Sequence, residues 1–229
     1  MHAILFCFTL FFSMSAVAAE DGTKQGKKDN MPEVTSVQIQ KGVFQDIGLC
    51  ESDVNAAQTG IKELDGDLKR AAEKEICPGE AVEVEKLDMS VERRKTNFTV
   101  TRNDNRWLSI IYEHYKYKGG AHGNRTSEIF LYEKNKKRWV QQGEIVEASK
   151  RDAAARSVKD RLIKLNQEKY KGLLWLKKFS IIQLFTAEGC RDCMIYPTET
   201  GWIVAFPPYT IGAYASGTIK VPLDEKFIH

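Results

Sequence analysis

From residue 80 onward the apolar positions recur with a period of two, the signature of half-buried strands. Val82 and Val84, then Leu87, Met89 and Val91, predict a strand with a slip near Glu85-Lys86, and Phe98 and Val100 mark a second. Asn103-Asp104-Asn105 reads as a turn, because these side chains bond their own backbone and tolerate left-handed conformations. Trp107 to Tyr117 predicts a long third strand, broken by Gly119-Gly120, and Thr126 to Tyr132 a fourth, followed by a turn over Glu133 to Lys137. Trp202, Val204 and Phe206 alternate in a late strand, and Ile219 and Val221 form the last. Helical spacing occurs twice. Val54, Ala57, Ile61, Leu64, Leu68 and Ala71, three and four apart, predict a helix capped by Ser52 or Asp53, ended by Pro78-Gly79 and weakened by Gly60 and Gly66. Arg151 to Lys169 predicts a second, charged helix with a narrow stripe of Val158, Leu162 and Leu165. Segregated rather than alternating elements argue for an α+β fold, a mainly antiparallel sheet with helices packed on one face.

The N-terminus adds an address. Ile4 to Phe12 is apolar and Ser13 to Ala19 supplies small residues before a cleavage point, so residues 1–19 read as a signal peptide. Glu20 to Glu33 is nearly devoid of apolar residues and predicts a flexible leader, leaving residues 34–229 as a single domain. The apolar run is too short to span a bilayer and no other segment is longer, so a periplasmic or secreted chain without a stable membrane anchor is expected. A net charge of +3 is too small for a polyanion binder. Lys134, Lys136, Lys137 and Arg138 fall in an expected hairpin turn, and no nucleic-acid partner is expected.

Four cysteines follow the signal peptide: Cys50, Cys77, Cys190 and Cys193. In an exported chain an even count reads as two structural disulfides. Cys190-Arg-Asp-Cys193 also fits a redox pair or half of a metal site, but it precedes a strand-like Met194-Ile195-Tyr196 rather than a helix, and the histidines show no paired ligand spacing. No metal or cofactor is expected. If residues 52–76 form one helix, about 36 Å long, Cys50 and Cys77 lie beyond the roughly 7 Å that a bridge allows and must find other partners.

Two glycine-aromatic motifs carry the most specific signal, Tyr117-Lys118-Gly119-Gly120-Ala121-His122-Gly123 and Pro208-Tyr209-Thr210-Ile211-Gly212-Ala213-Tyr214-Ala215-Ser216-Gly217. Gly119-Gly120 suits a tight connection at positive φ better than a phosphate cradle, since a strand rather than a helix follows. His122 has the intrinsic pKa of a general base, but no nucleophile elbow accompanies it, and a hydrogen-bonded structural or binding role is the stronger reading. Tyr209 and Tyr214 suggest a rigid irregular crossing whose buried hydroxyls need partners, with His122 or the Gly119-Gly120 backbone as candidates. The nearby acidic pairs Glu73/Glu75 and Glu83/Glu85 are short-range surface pairs and poor candidates for glycosidase carboxylates.

Between Val82 and Lys226 these motifs, with the charged helix and the closing Val-Pro, resemble the RsiV-like extracytoplasmic family, known from a lysozyme-binding anti-sigma factor and as an accessory domain of the peptidoglycan deacetylase PdaC. The resemblance implies that the two motifs meet in space, with Gly119, Gly120, His122, Tyr209 and Tyr214 at one binding or structural corner. It also implies a non-enzymatic envelope protein that binds a peptidoglycan hydrolase of lysozyme type, as an inhibitor or immunity protein. Alternatives are a cell-wall glycan-binding module recognising peptidoglycan, and a hydrolase using His122. Unlike the anti-sigma factor, the chain shows no transmembrane helix or cytoplasmic segment to carry a signal inward, which takes signalling out of the inference.

Overall fold

A computed structural model describes residues 33–46, 48–84, 91–176, 184–188 and 193–229. The signal peptide, nearly all of the leader, Leu87, Met89 and Cys190 lie outside the described residues. The architecture is the expected α+β arrangement, mainly antiparallel. Seven strands form one sheet: β1 (Thr35–Gln45), β2 (Leu49–Gln58), β3 (Glu80–Val82), β4 (Glu92–Asn103), β5 (Trp107–Tyr117), β6 (Asn124–Glu133) and β7 (Arg138–Trp139), ordered β3-β1-β2-β4-β5-β6-β7. A second sheet, β10-β9-β8, comprises β8 (Met194–Thr198), β9 (Gly201–Phe206) and β10 (Ile219–Leu223). The described residues also form α1 (Lys62–Glu73), the single turn α2 (Gln142–Ile145) and α3 (Arg151–Glu168).

The expected helix over residues 52–76 is half strand. Cys50, Ser52, Val54 and Ala56 are buried while the residues between them are not, a period-two pattern that pairs with β1 antiparallel and with β4 parallel. The chain turns at Gly60, whose φ of 78° favours glycine. The Asp65 carboxylate reaches back to accept from the Thr59 and Gly60 N–H groups at 2.6 and 3.2 Å, which fixes where α1 begins. Helix α1 then runs back as the crossover that a parallel β2–β4 pair requires. The reversal returns the chain to the start of β2, so Cys50 and Cys77 form a disulfide with Cα atoms 5.8 Å apart, against the expectation from one continuous helix. Cys193 is disulfide-bonded as well.

Strand β5 is sandwiched over most of its length. On one face Leu108, Ile110 and Tyr112 join Val54, Leu64 and Leu68 beneath α1. On the other Trp107 packs edge-on against Trp202 of β9, ring centroids 5.6 Å apart, in a second cluster shared with α3 through Ala155, Val158 and Leu162. Two cations of the basic turn after β6 are ion-paired: Lys136 with Glu133 at 3.0 Å and Arg138 with Glu144 at 2.8 Å.

Two polar groups sit inside the α1 cluster. Beyond the last β2–β4 pair, Val54 with Thr96, the Ala57 N–H donates instead to the fully buried Tyr112 hydroxyl at 2.7 Å. Burial pushes that phenol up to about 12, so it stays protonated. The neighbouring His114 ring stacks on Tyr112 and its Nδ1 meets the Thr96 hydroxyl at 3.1 Å, while Nε2 is buried with no hydrogen-bond partner among the described residues. Desolvation holds the His114 pKa below its ordinary 6.5, outweighing the carboxylates of Glu75 and Glu128, and Lys74 pushes in the same downward direction.

Three outcomes are expected. Tyr112→Phe leaves the Ala57 N–H unsatisfied and lowers unfolding free energy by about 1–3 kcal/mol in denaturant titration. A Cys50→Ala/Cys77→Ala variant, opening a crosslink of sequence separation 27, loses about 2–5 kcal/mol in the same assay. A buried neutral histidine contributes stability that is fully present above the unfolded pKa and is lost as pH falls below about 6.5, where the unfolded chain takes up the proton first. Wild type should therefore destabilise between pH 7.5 and 5.5 by more than His114→Gln does; equal pH dependence of the two would contradict the assignment.

Candidate functional site

The two glycine-aromatic motifs meet. The turn after β5 is built on Gly119 and Gly120, with φ of 90° and 95°, a region where a β-carbon is sterically disfavoured. The Tyr117 hydroxyl donates to the Gly120 carbonyl at 3.0 Å and ties the turn to the end of its own strand. Gly123 has a different role: a Cβ there would lie 2.4 Å from the Tyr115 ring, so only hydrogen lets the chain pass over that ring. The turn presents His122 to the segment that follows β9. There the His122 ring stacks on Tyr214, centroids 4.6 Å apart and planes 15° from parallel, and Tyr209 leans on the other aromatic at 5.6 Å.

The hydrogen bonds set the histidine tautomer. Nδ1 lies 3.2 Å from the Gly123 carbonyl, which can only accept, so Nδ1 carries the proton. Nε2 is then free to accept from the Tyr209 hydroxyl, 3.4 Å away. Both nitrogens are engaged in holding the corner. The hydroxyl of Tyr209 thus finds His122, and the Gly120 carbonyl serves Tyr117. Tyr209 itself is not buried as the sequence suggested: it is 56% exposed and holds φ at +69°. A bulky side chain there costs roughly 1–3 kcal/mol and persists only when its surroundings impose it. The surroundings are a turn in which Thr210 N–H donates to Pro207, and Ile211, fully buried, whose carbonyl accepts from Trp175 N–H at 2.8 Å.

Beside this corner lies a cleft of about 830 Å³ between the free end of the large sheet and the segment 207–218. Its floor follows from register. Asn97, Glu113 and Ser127 sit directly opposite one another across β4, β5 and β6, and Lys95, Tyr115 and Arg125 form the next row. These odd-numbered positions share the face that carries Trp107 and Leu131 further along, where the second sheet covers it. The roof is Pro207, Pro208, Tyr214 and Thr218. Glycines 119 and 120 and the tyrosines were legible from composition. The floor was not, although the alternation of polar residues along Lys95-Asn97 and Glu113-Tyr115 is its trace in the sequence. Among the described residues no group of three His, Cys, Asp or Glu side chains is placed to hold a metal.

Comparison with known proteins places this geometry. No curated protein matches the chain in sequence. A DUF3298 family protein from Pseudomonas aeruginosa PAO1 superposes with a TM-score of 0.60 at 14% identity, covering 88% of this chain and 95% of the other. A DUF3298 family member from Bacteroides fragilis NCTC 9343 gives 0.59 at 11% identity over 88% and 96%. At such identities the likeness is one of fold. Residues 28–125 match the family described as deacetylase PdaC, so the chain combines a PdaC-type segment, reaching from the N-terminal side into β6, with the overall fold of DUF3298 proteins.

Proposed function

We propose that this chain is an exported, non-enzymatic protein of the cell envelope that binds a peptidoglycan hydrolase of lysozyme type and restrains it. One observation carries the reading. Among the described residues the three most exposed large apolar side chains are Leu173 at 69%, Tyr209 at 56% and Trp175 at 44%. They lie on two segments joined by the Trp175 to Ile211 hydrogen bond. Aromatic side chains held on a rigid frame and open to solvent are the usual anchors of protein interfaces. Tyr209 is held by its surroundings at a positive φ with its ring on display.

The PdaC-type match, the disulfides and the lack of any helix long and apolar enough to cross a membrane among the described residues support an envelope location. The His122 contacts support binding over turnover. A general base needs a free nitrogen near a nucleophile, and here one nitrogen faces a carbonyl and the other a phenol.

The test is a biosensor titration of the purified protein against a chicken-type lysozyme, paired with clearing of a peptidoglycan suspension. Binding with slower clearing is expected. Tyr209→Ala and Trp175→Ala should each weaken binding by about 30-fold or more, the cost of losing an interface anchor. Tyr209→Gly should weaken it as much while raising the melting temperature, because glycine accepts the positive φ without strain. Neither binding nor inhibition by folded wild type, or activity of the protein on peptidoglycan by itself, would refute the proposal.

A further inference from the structure

The open strand edges of this molecule are not guarded alike. A bare edge is a template for another strand, and proteins blunt it with bulges, lysines or prolines. Strand β1 is interrupted by a bulge between Gln38 and Gln40, carries Lys41, and is covered by β3 from Val43 to Gln45. Strand β8 contains Pro197 and β10 contains Pro222, and proline cannot donate to a ladder. Strand β6 has none of these devices. Its register against β5 runs without a shift, residues 124–131 include neither proline nor lysine, and β7 pairs only with Tyr132 and Glu133.

The direction of its backbone groups follows from one bond. Val140 N–H donates to the Leu131 carbonyl at 2.7 Å, so the odd-numbered residues of β6 point their N–H and C=O groups away from β5. Arg125, Ser127 and Ile129 therefore present both groups outward, and no other described residue bonds them. A groove of about 570 Å³ runs along this edge, with Ala71 and Lys74 of α1 on one side and Gln142 and Glu188 on the other. Glu128, Ile129, Phe130 and Leu131 line it in succession. Since side chains alternate between faces, consecutive strand residues share a groove only where it follows the edge itself.

The edge is complementary to a second copy of itself. In an antiparallel ladder with Ser127 opposite Ser127, Arg125 falls opposite Ile129, and every outward N–H and C=O of these residues meets a mate. Thr126 then faces Glu128, whose charge Lys74 already meets at 2.7 Å, so no like charges stand directly opposite. The charges left over also match. Within one chain Arg125 lies over the Tyr115 ring and has no ion pair among the described residues, and exposed Glu188 has none either. Glu188 follows Leu184 and Phe185, which are buried in the cluster on the same face of the sheet as Ile129. An Arg125 arriving opposite Ile129 comes to that rim, and the two-fold axis repeats the pairing.

We propose that this chain associates with a second copy through the β6 edge, joining two seven-stranded sheets into one across an axis at Ser127. The proposal does not rest on the hydrolase reading, which concerns Trp175 and Tyr209 on other segments.

The experiment is sedimentation velocity of the full mature chain over a dilution series. A dimer should dissociate to monomer on dilution, more readily in added salt. Ser127→Pro removes an N–H that has no partner inside the chain, so it should melt close to wild type while the dimer dissociation constant rises about tenfold or more. Arg125→Glu and Glu188→Arg should each weaken association, and the two reversals combined should restore it. Trp175→Ala should leave it unchanged. Should melting curves show Ser127→Pro unfolded, the charge reversals decide alone. A wild type that is monomeric at every concentration, a dimer indifferent to folded Ser127→Pro, a dimer lost in Trp175→Ala, or charge reversals that fail to rescue each other would overturn the assignment.

Discussion

The alternation of side chains along β5 is the constraint on which the rest of this molecule depends. A strand can bury both faces only if each face has its own cover, and β5 has two: α1 over Leu108, Ile110 and Tyr112, and the small sheet over Trp107. A one-residue slip would exchange the faces, putting the Tyr112 hydroxyl where no Ala57 N–H awaits it and the charged Glu113 beneath α1. The register is pinned at one end by Asp104, whose carboxylate accepts from the Arg106 and Trp107 N–H groups at 2.8 and 2.7 Å. Past Ile111 the second cover stops, and the same face that is apolar at Trp107 becomes polar at Glu113 and Tyr115. The cleft is therefore the uncovered continuation of a core face.

The corner above it is held by backbone constraint and stacking, with little burial. His122 is exposed, yet its ring is fixed by Tyr214 on its face and by Gly123 and Tyr209 at its two nitrogens. Each contact is worth on the order of 1 kcal/mol, but they act on a chain whose path is already limited by glycines at 119 and 120 and two prolines before Tyr209. Such a frame tolerates a strained Tyr209 because the buried Ile211 two residues on cannot follow it into a relaxed conformation without leaving the core.

How much of this could be read from the chain alone depends on whether the signal was local. Trp107 to Tyr117 was legible residue for residue, because its alternation is strong and an Asx-type turn and a glycine pair bound it. Helix α3 was legible for the same reason, from Val158, Leu162 and Leu165. Strand β2 was not. Val54, Ala57, Ile61, Leu64 and Leu68 keep helical spacing by coincidence across a strand, a turn at Gly60 and a true helix, and small Ala56 and polar Ser52 hid the alternation that burial reveals. Strand β1 carries Val37, Ile39 and Val43 at odd positions, a trace that the exposure of its first residues and the bulge near Ile39 dilute. The motif residues of the corner were found by composition. Their burial was not, since whether Tyr209 points in or out is decided by one positive φ. The cleft floor depends on cross-strand register, which no local pattern encodes.

The cleft and the exposed aromatics divide between two segments of the chain. Lys95, Asn97, Glu113, Tyr115 and Arg125 lie within the PdaC-type segment, whereas the roof and the exposed Trp175 and Tyr209 come from residues beyond it. The floor alone is a flat, solvated row of polar groups with little power to exclude water. Adding the roof narrows it and brings Tyr214 into the same cleft as Tyr115, and a polar contact is stronger where less solvent surrounds it. The same segment that roofs the cleft presents Tyr209 outward, so one short stretch of chain, 207–217, contributes to both surfaces.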